Sequence, residues 1–156
     1  ADSLGGAVEI HDSTLEMVNC NFTHNSTDGL GGAFYLNYGG EVTLTNGLVE
    51  NNQAVQFGGG FYFMGRTALT ASYSRILGNT APQGPDGFIR QPYEPAVVTL
   101  TCCEADTTQW SGSITLDDEG CDGIQKIFGH KMKTPITAAQ KAATRTAPAR
   151  RSLTRP

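Results

Sequence analysis

The chemically capable residues of this chain are few, and none of them stands in a known catalytic pattern. The sequence contains no G-x-S-x-G, no H-E-x-x-H and no cysteine and histidine at a recognisable catalytic spacing. An acidic turn offers four carboxylates to a calcium ion: Asp117, Asp118, Glu119 and Asp122. Their spacing departs from that of an EF-hand loop, so a solvated turn is favoured and no cofactor or metal is expected. The residues favour a protein that is not an enzyme.

Cysteine chemistry is the second candidate. Cys121 follows the adjacent pair Cys102 and Cys103, and a disulfide from Cys121 to either of them would close a loop of about 18 residues and contribute roughly 3 kcal/mol. The spacing does not choose between the two partners. The remaining cysteine, Cys20, is expected to point inward as a buried thiol that packs like a small apolar group.

The element that must position every other residue is an internal repeat. The hexapeptide GGAVEI at 5–10 returns as GGAFYL at 31–36 and as GGGFYF at 58–63, at spacings of 26 and 27 residues. A period in this range is typical of a solenoid. The glycines that open each repeat supply room or a positive φ at a corner of the chain. They are Gly5, Gly6, Gly31, Gly32, Gly58 and Gly59.

Each repeat contains three short segments in which apolar and polar residues alternate. In the second repeat the apolar positions are Phe34 and Leu36, then Val42 and Leu44, then Val49. Alternation with period two predicts strands with one buried face. If the three strands of each repeat form the three sides of one coil, the apolar face of every strand points into the interior of the coil. The pattern therefore predicts an all-β fold, a parallel β-helix of about three coils.

An asparagine closes the third segment of every repeat, at Asn25, Asn52 and Asn79. Stacked coils place equivalent side chains about 4.8 Å apart, one on top of another. The three amides are therefore predicted to form an inward ladder that passes hydrogen bonds from coil to coil.

These motifs resemble a known family. Gly-Gly-Ala followed by an apolar residue, together with Phe22-Thr23-His24-Asn25, is similar to the GGA(I/L/V) and FxxN tetrapeptides of the chlamydial polymorphic membrane proteins. Those proteins are autotransporter adhesins whose passenger is a right-handed, single-stranded parallel β-helix. The resemblance covers about half of the chain, and it implies that fold and an adhesive function.

Composition divides the chain into parts with different expected structures. Four parts are predicted: repeats at 1–84, with coils at 5–30, 31–57 and 58–84; a proline- and glycine-rich linker at 85–96; a small cysteine-containing β module at 97–125; and a basic, largely extended tail at 126–156 with a short helix at 135–143.

Charge is distributed unevenly between these parts. The first 125 residues carry all fifteen acidic side chains and three arginines, a formal charge of −12, whereas the tail carries eight basic side chains. A basic tail on an acidic body predicts contact with an acidic protein neighbour and does not indicate nucleic-acid binding. Contact is expected through Arg145, Arg150 and Arg151. No run of about 18 apolar residues is present, so no membrane span is expected.

Two further features bear on contacts at the surface. Tyr35 and Tyr62 occupy equivalent outward positions, where stacked aromatic rings would stabilise the sheet or hold a sugar or a protein partner. Asn21 and Asn25 both begin N-x-(S/T) glycosylation patterns. Asn21 lies between two inward residues and should be exposed, whereas Asn25 belongs to the inward ladder. A glycan is therefore predicted at Asn21 and none at Asn25.

The resulting functional hypothesis is a structural or adhesive module of an extracellular or cell-surface assembly, such as a filament, a wall or an appendage. Its partners are expected to be proteins, with glycans as a further class. The alternative from another class is a carbohydrate-binding or carbohydrate-cleaving β-helix of the pectate-lyase kind. An intracellular scaffold is the alternative for location, and reduced cysteines with an unmodified Asn21 would favour it.

Overall fold

The chain folds as a parallel β-solenoid of about four turns in a computed structural model, which describes residues 3–90, 96–119 and 121. Three sheets run along the stack, and every strand pairs in parallel with its equivalents in neighbouring coils. The first sheet contains β1 (Val8–His11), β5 (Phe34–Asn37), β9 (Phe61–Met64), β12 (Gly87–Ile89) and β15 (Trp110–Ser111). The second contains β2 (Thr14–Val18), β6 (Glu41–Thr45), β10 (Ala68–Ser72), β13 (Val97–Thr101) and β16 (Thr115–Asp117). The third contains β3 (Asn21–Thr23), β7 (Leu48–Glu50), β11 (Arg75–Leu77) and β14 (Glu104–Ala105).

Two shorter elements complete the described part of the chain. A small fourth sheet pairs β4 (Ser26–Thr27) with β8 (Gln53–Ala54). A single 3₁₀ turn, Thr107–Gln109, begins after Asp106, whose carboxylate accepts a hydrogen bond from the Thr108 N–H.

The strand register is the one that the repeats predict. Val8 pairs with Phe34, and Phe34 pairs with Phe61, so the three hexapeptides lie directly above one another. The inward residues of the second coil are fully or almost fully buried, and the rings of Phe34 and Phe61 stack with their centroids 4.9 Å apart. The predicted all-β parallel solenoid is therefore confirmed.

The solenoid continues beyond residue 84, where a linker and a separate cysteine module were expected. Gly87–Ile89 pairs with β9, and Val97–Thr101 pairs with β10 in the same register as the earlier coils. The predicted linker at 85–96 is therefore wrong for the described residues in that range. The cysteine-containing strands predicted at 97–125 are present, but they belong to the same solenoid as the repeats. The sequence argued against a strand at Pro85 because proline has no backbone N–H to donate. The Pro85 carbonyl nevertheless accepts the Gly60 N–H at 2.9 Å. The predicted tail at 126–156 and helix at 135–143 lie outside the described residues.

Both reasons for the paired glycines are present at the corner. Gly31 has a φ of +70°, which a side chain rarely tolerates, and a Cβ on Gly32 would lie 2.1 Å from the carbonyl oxygen of Gly59 in the next coil. The first glycine of each pair therefore supplies a backbone conformation, and the second supplies room for the next coil. Gly84 has the same positive φ and continues the column into the fourth coil.

Coil one packs less completely than the coils that follow it. Val8, Leu15 and Phe22 are half-buried, whereas the equivalent residues of coils two and three are buried. Cys20 is also half-buried, so the expectation of a buried thiol there is wrong. The physical reason is position, since among the described residues each strand of coil one has a paired neighbour on one side only.

The disulfide joins Cys102 to Cys121, with a Cα separation of 5.3 Å. Cys102 has a φ of +52° and stands at a corner beyond β13, where the side chain leaves the core. Cys103 instead points inward, its thiol lies near the carbonyl oxygen of Ala71, and burial raises the pKa of Cys103 to about 11. The sequence left open whether Cys121 bonds Cys102 or Cys103. The alternation of side chains around this corner decides it, because Cys102 points outward and Cys103 points into the core.

Candidate interaction surfaces

The three ladder asparagines form a continuous hydrogen-bonded column inside the solenoid. The Asn25 amide donates to the Asn52 side-chain oxygen at 2.9 Å, and the Asn52 amide donates to that of Asn79 at 2.9 Å. Each oxygen also accepts the backbone N–H of the preceding asparagine, at 3.0 Å in both cases. The predicted ladder is present, and its middle member makes four side-chain hydrogen bonds, including one to the Phe22 carbonyl.

Asp86 ends this ladder and was not predicted. Its carboxylate accepts the Asn79 side-chain amide at 2.7 Å and the Asn79 backbone N–H at 3.3 Å. The residue is 1% exposed, and its second oxygen has no hydrogen-bond partner among the described residues. Burial raises the pKa of Asp86 to about 6, although the hydrogen bonds from Asn79 oppose the rise and the Asp106 carboxylate adds to it.

The repeat spacing would place Asp106, and not Asp86, at the end of the asparagine ladder. Asp106 follows Asn79 by one repeat length, yet it caps the 3₁₀ turn and is exposed. Asp86 instead comes from the glycine corner, where it aligns with Ala33 and Gly60. A Cβ on Gly60 would lie 3.2 Å from the Asn79 amide, so this corner position points at the ladder. A charged residue at a corner position that is alanine or glycine in the preceding coils was the sequence signal that could have identified Asp86.

The tyrosine pair stacks as predicted but is not accessible. The rings of Tyr35 and Tyr62 are nearly parallel with centroids 5.4 Å apart, and Phe88 extends the stack at 5.6 Å. Tyr35 is 4% exposed and Tyr62 is 2% exposed, so their expected role as an exposed contact surface is wrong. Phe57 packs against the far end of the stack, with its ring centroid 4.7 Å from that of Phe88.

Polar groups of the tyrosine stack are also engaged. The Tyr35 hydroxyl donates to the Met64 sulfur at 3.3 Å, and the Arg90 guanidinium hydrogen-bonds to Tyr62. Burial is the main cause that raises the pKa of both tyrosines. Neighbouring side chains therefore cover the two tyrosine rings.

One ion-pair column links three coils on the outer side of the third sheet. Arg75 contacts Glu50 at 2.9 Å and Glu104 at 2.6 Å. Glu104 on β14 is paired directly with Arg75 on β11, whereas Glu50 lies two residues beyond the partner of Arg75 on β7. This contact was not predicted from the sequence. The pairs are partly exposed, so their stabilising contribution is small.

The two glycosylation patterns differ in accessibility as predicted. Asn21 is exposed on β3, whereas the Asn25 amide is engaged in the ladder. We expect secretion from a eukaryotic host to place a glycan on Asn21 and none on Asn25. Intact-mass and peptide mapping should show the shift lost in Asn21→Gln and retained in Thr27→Ala, which removes only the second pattern. A sugar mapped to Asn25 would contradict the ladder.

The remaining predicted contact residues receive less support. Among residues 3–90, 96–119 and 121, no group of three or more metal-ligating side chains is found. In the acidic turn, Asp117 accepts the Glu119 N–H at 3.1 Å, and Asp122 lies outside the described residues. Arg145, Arg150 and Arg151 also lie outside them. Within the described part of the chain, no helix has the length and apolar character needed to cross a membrane.

At the coil-one end of the stack, the apolar interior is only partly covered, and Val8, Leu15 and Phe22 are half-buried. In the second sheet, the Glu41 N–H bonds to the Ser13 carbonyl, and the Asn19 N–H bonds to the Thr45 carbonyl. Parallel strands use alternate residues for each neighbour. The backbone groups of Thr14, Glu16 and Val18 therefore face away from coil two. No described donor reaches the side-chain oxygen of Asn25, the ladder acceptor at this end.

Comparison with known proteins adds no relative. No family model, no curated protein and no solved structure matches this chain.

Proposed function

We propose that this protein is a non-enzymatic structural module that works through protein contacts in an extracellular assembly. The coil-one end is its principal contact surface. Among the described residues, the strand edges there pair on one side only, and Val8, Leu15 and Phe22 are half-buried. Unpaired edges beside apolar side chains favour pairing with another strand.

The partner for this surface is the strand edge of a neighbouring solenoid subunit. Such an edge supplies what coil one lacks: backbone donors and acceptors in register and apolar side chains that cover the exposed interior. The basic segment from residue 126 adds contact with an acidic surface, and the described body is itself acidic. An extracellular location is supported by the disulfide, since such bonds persist in oxidising compartments.

Blocking the exposed edge tests this proposal. Glu16→Pro removes an N–H that faces away from coil two, so it leaves the bonds within the solenoid intact. We expect self-association of the full chain, measured by analytical ultracentrifugation over a concentration series, to weaken by about tenfold or more because one edge hydrogen bond and close approach are lost.

Glu16→Ala is the matched control, since it removes the same side chain but keeps the N–H. It should associate like the wild type, and circular dichroism should be the same for all three proteins. Equal association by the proline variant, or a wild type that stays monomeric at every concentration, would argue against the edge as an assembly surface.

A further inference from the structure

The outward side of the second sheet carries two adjacent columns of hydroxyl side chains. Strands β6, β10, β13 and β16 each present residues two apart on this side, and the paired register aligns them. Seven of the eight positions carry a hydroxyl. We call these the threonine array: Thr43, Thr45, Thr70, Ser72, Thr99, Thr101 and Thr115.

The geometry of the fold makes this array regular in two directions. Neighbouring coils repeat each column at about 4.8 Å, and residues two apart on one strand lie about 6.6 Å apart. Threonine is stiff at χ1, so its methyl and hydroxyl groups are held in few orientations. The array therefore presents a two-dimensional lattice of hydroxyl and methyl groups.

The hydroxyls of the array have no hydrogen-bond partner in the described part of the chain. Elsewhere in the chain, hydroxyls often find such partners: Thr27 bonds to the Ser3 carbonyl, Ser74 to the Ser72 carbonyl and Thr67 to the Gly65 carbonyl. The array members are exposed or half-buried, so their donors and acceptors point to an external ligand.

The array is also neutral, although the body of the protein is acidic. Among the described residues, the carboxylates on this side of the sheet are Asp117, which is the eighth aligned position, Glu16 at the other end of the array, and Glu41 beside it. Because the hydroxyls of the array are uncharged, they do not hold the tightly bound water that surrounds charged side chains. It also lacks the aromatic or arginine anchors on which protein contacts depend.

This chemistry narrows the class of ligand. A single small molecule is normally held in a concave site, and this side of the sheet is a row of stacked strands. A lattice of neutral hydroxyls is complementary to a surface with a lattice of its own hydrogen-bonding oxygens. Ice has such surfaces, and every oxygen in ice both donates and accepts. A crystalline polysaccharide is the other source of ordered hydroxyls, but the array has no aromatic ring on which sugars could stack.

We propose that the threonine array is an ice-binding surface. Its hydroxyls take positions in the lattice of a growing ice face, and the methyl groups between them order the intervening water, whose orientations are already restricted beside apolar groups. This inference is independent of the assembly role of coil one, because the array lies on the side of the stack and the strand edges lie at its end.

The test uses the full chain and slow freezing onto a cold probe, with the protein fraction in the ice compared with that in the liquid. We expect the wild type to be enriched in the ice. Thr70→Lys places an ammonium group in the centre of the array, and the enrichment should fall by about tenfold or more because that charge must be desolvated at the contact. Thr80→Lys adds the same charge at an exposed position outside the array and should behave like the wild type.

Two measurements keep this test decisive. Circular dichroism and thermal melting check that each variant folds, and Thr99→Lys provides a second central substitution if Thr70→Lys does not. A pull-down with microcrystalline cellulose and chitin is run in parallel. No enrichment of the wild type in ice, equal enrichment of a folded central variant, or binding to polysaccharide with exclusion from ice would each overturn the proposal.

Discussion

Asn52→Ala should lower the free energy of unfolding by about 3–5 kcal/mol, the largest effect expected for a single substitution in this chain. The Asn52 side chain is fully buried and makes four hydrogen bonds. Alanine removes all four and leaves the Asn25 backbone N–H without its acceptor. Unfolding in urea, followed by circular dichroism, measures the change.

Asn51→Gly is the matched control for this substitution. Asn51 is the adjacent residue, its side chain is exposed, and its φ of +55° suits glycine. Coil three already has Gly78 at the equivalent position. We expect a change within about 0.5 kcal/mol, typical of an exposed site. If Asn52→Ala were as mild as the control, the ladder would contribute specificity of register and little stability.

The second large effect is a dependence of stability on pH that comes from Asp86. Burial raises the pKa of Asp86 from 3.8 to about 6 in the folded protein. Between these values the folded state holds a proton that the unfolded state has released. The contribution of this residue to stability is therefore complete below about pH 4, and it is lost as the pH rises through about 6. The loss amounts to about 2–3 kcal/mol.

Asp86→Asn isolates this contribution from those of the other carboxylates. The amide oxygen can still accept from Asn79, and no buried charge forms at high pH. The variant should match the wild type within about 1 kcal/mol at pH 4 and exceed its stability by about 2–3 kcal/mol at pH 8. Urea unfolding at both values measures the difference.

Asp28→Asn controls for the general effect of removing a carboxylate, because Asp28 is exposed in coil one. It should follow the pH dependence of the wild type. A constant difference between Asp86→Asn and the wild type from pH 4 to pH 8 would mean that Asp86 keeps the same protonation on unfolding, and the assigned role would fail.

The repeat was readable because its strongest signals are local and recur. Glycine pairs at a corner, alternation along a strand and one asparagine per coil each follow from backbone conformation or from which side of a strand a residue occupies. Their spacing then places Asn25, Asn52 and Asn79 on one column without further information. The stacking of Tyr35 on Tyr62 followed from the same register.

The fourth coil was missed because its local signals changed while its pairing did not. Gly84-Pro85-Asp86 replaces the glycine-rich opening, and proline normally argues against a strand. Coil three nevertheless offers a complete set of backbone partners, and the carbonyls of residues 85 and 86 take them. Pairing with the strands of coil three therefore outweighs the weak preference of these residues against a strand.

By itself, the amino-acid sequence determined the period, the register and the inward column of asparagines, because each depends on side-chain alternation and corner geometry within one coil. Only the tertiary structure decided where the ladder ends, which cysteine Cys121 bonds and whether the tyrosines are accessible. Asp86 enters the ladder from another corner, Cys102 leaves the core at a turn, and Phe57 and Phe88 pack on the tyrosine stack. Each outcome depends on a contact between residues from different segments, and the spacing of residues within one repeat does not predict such a contact.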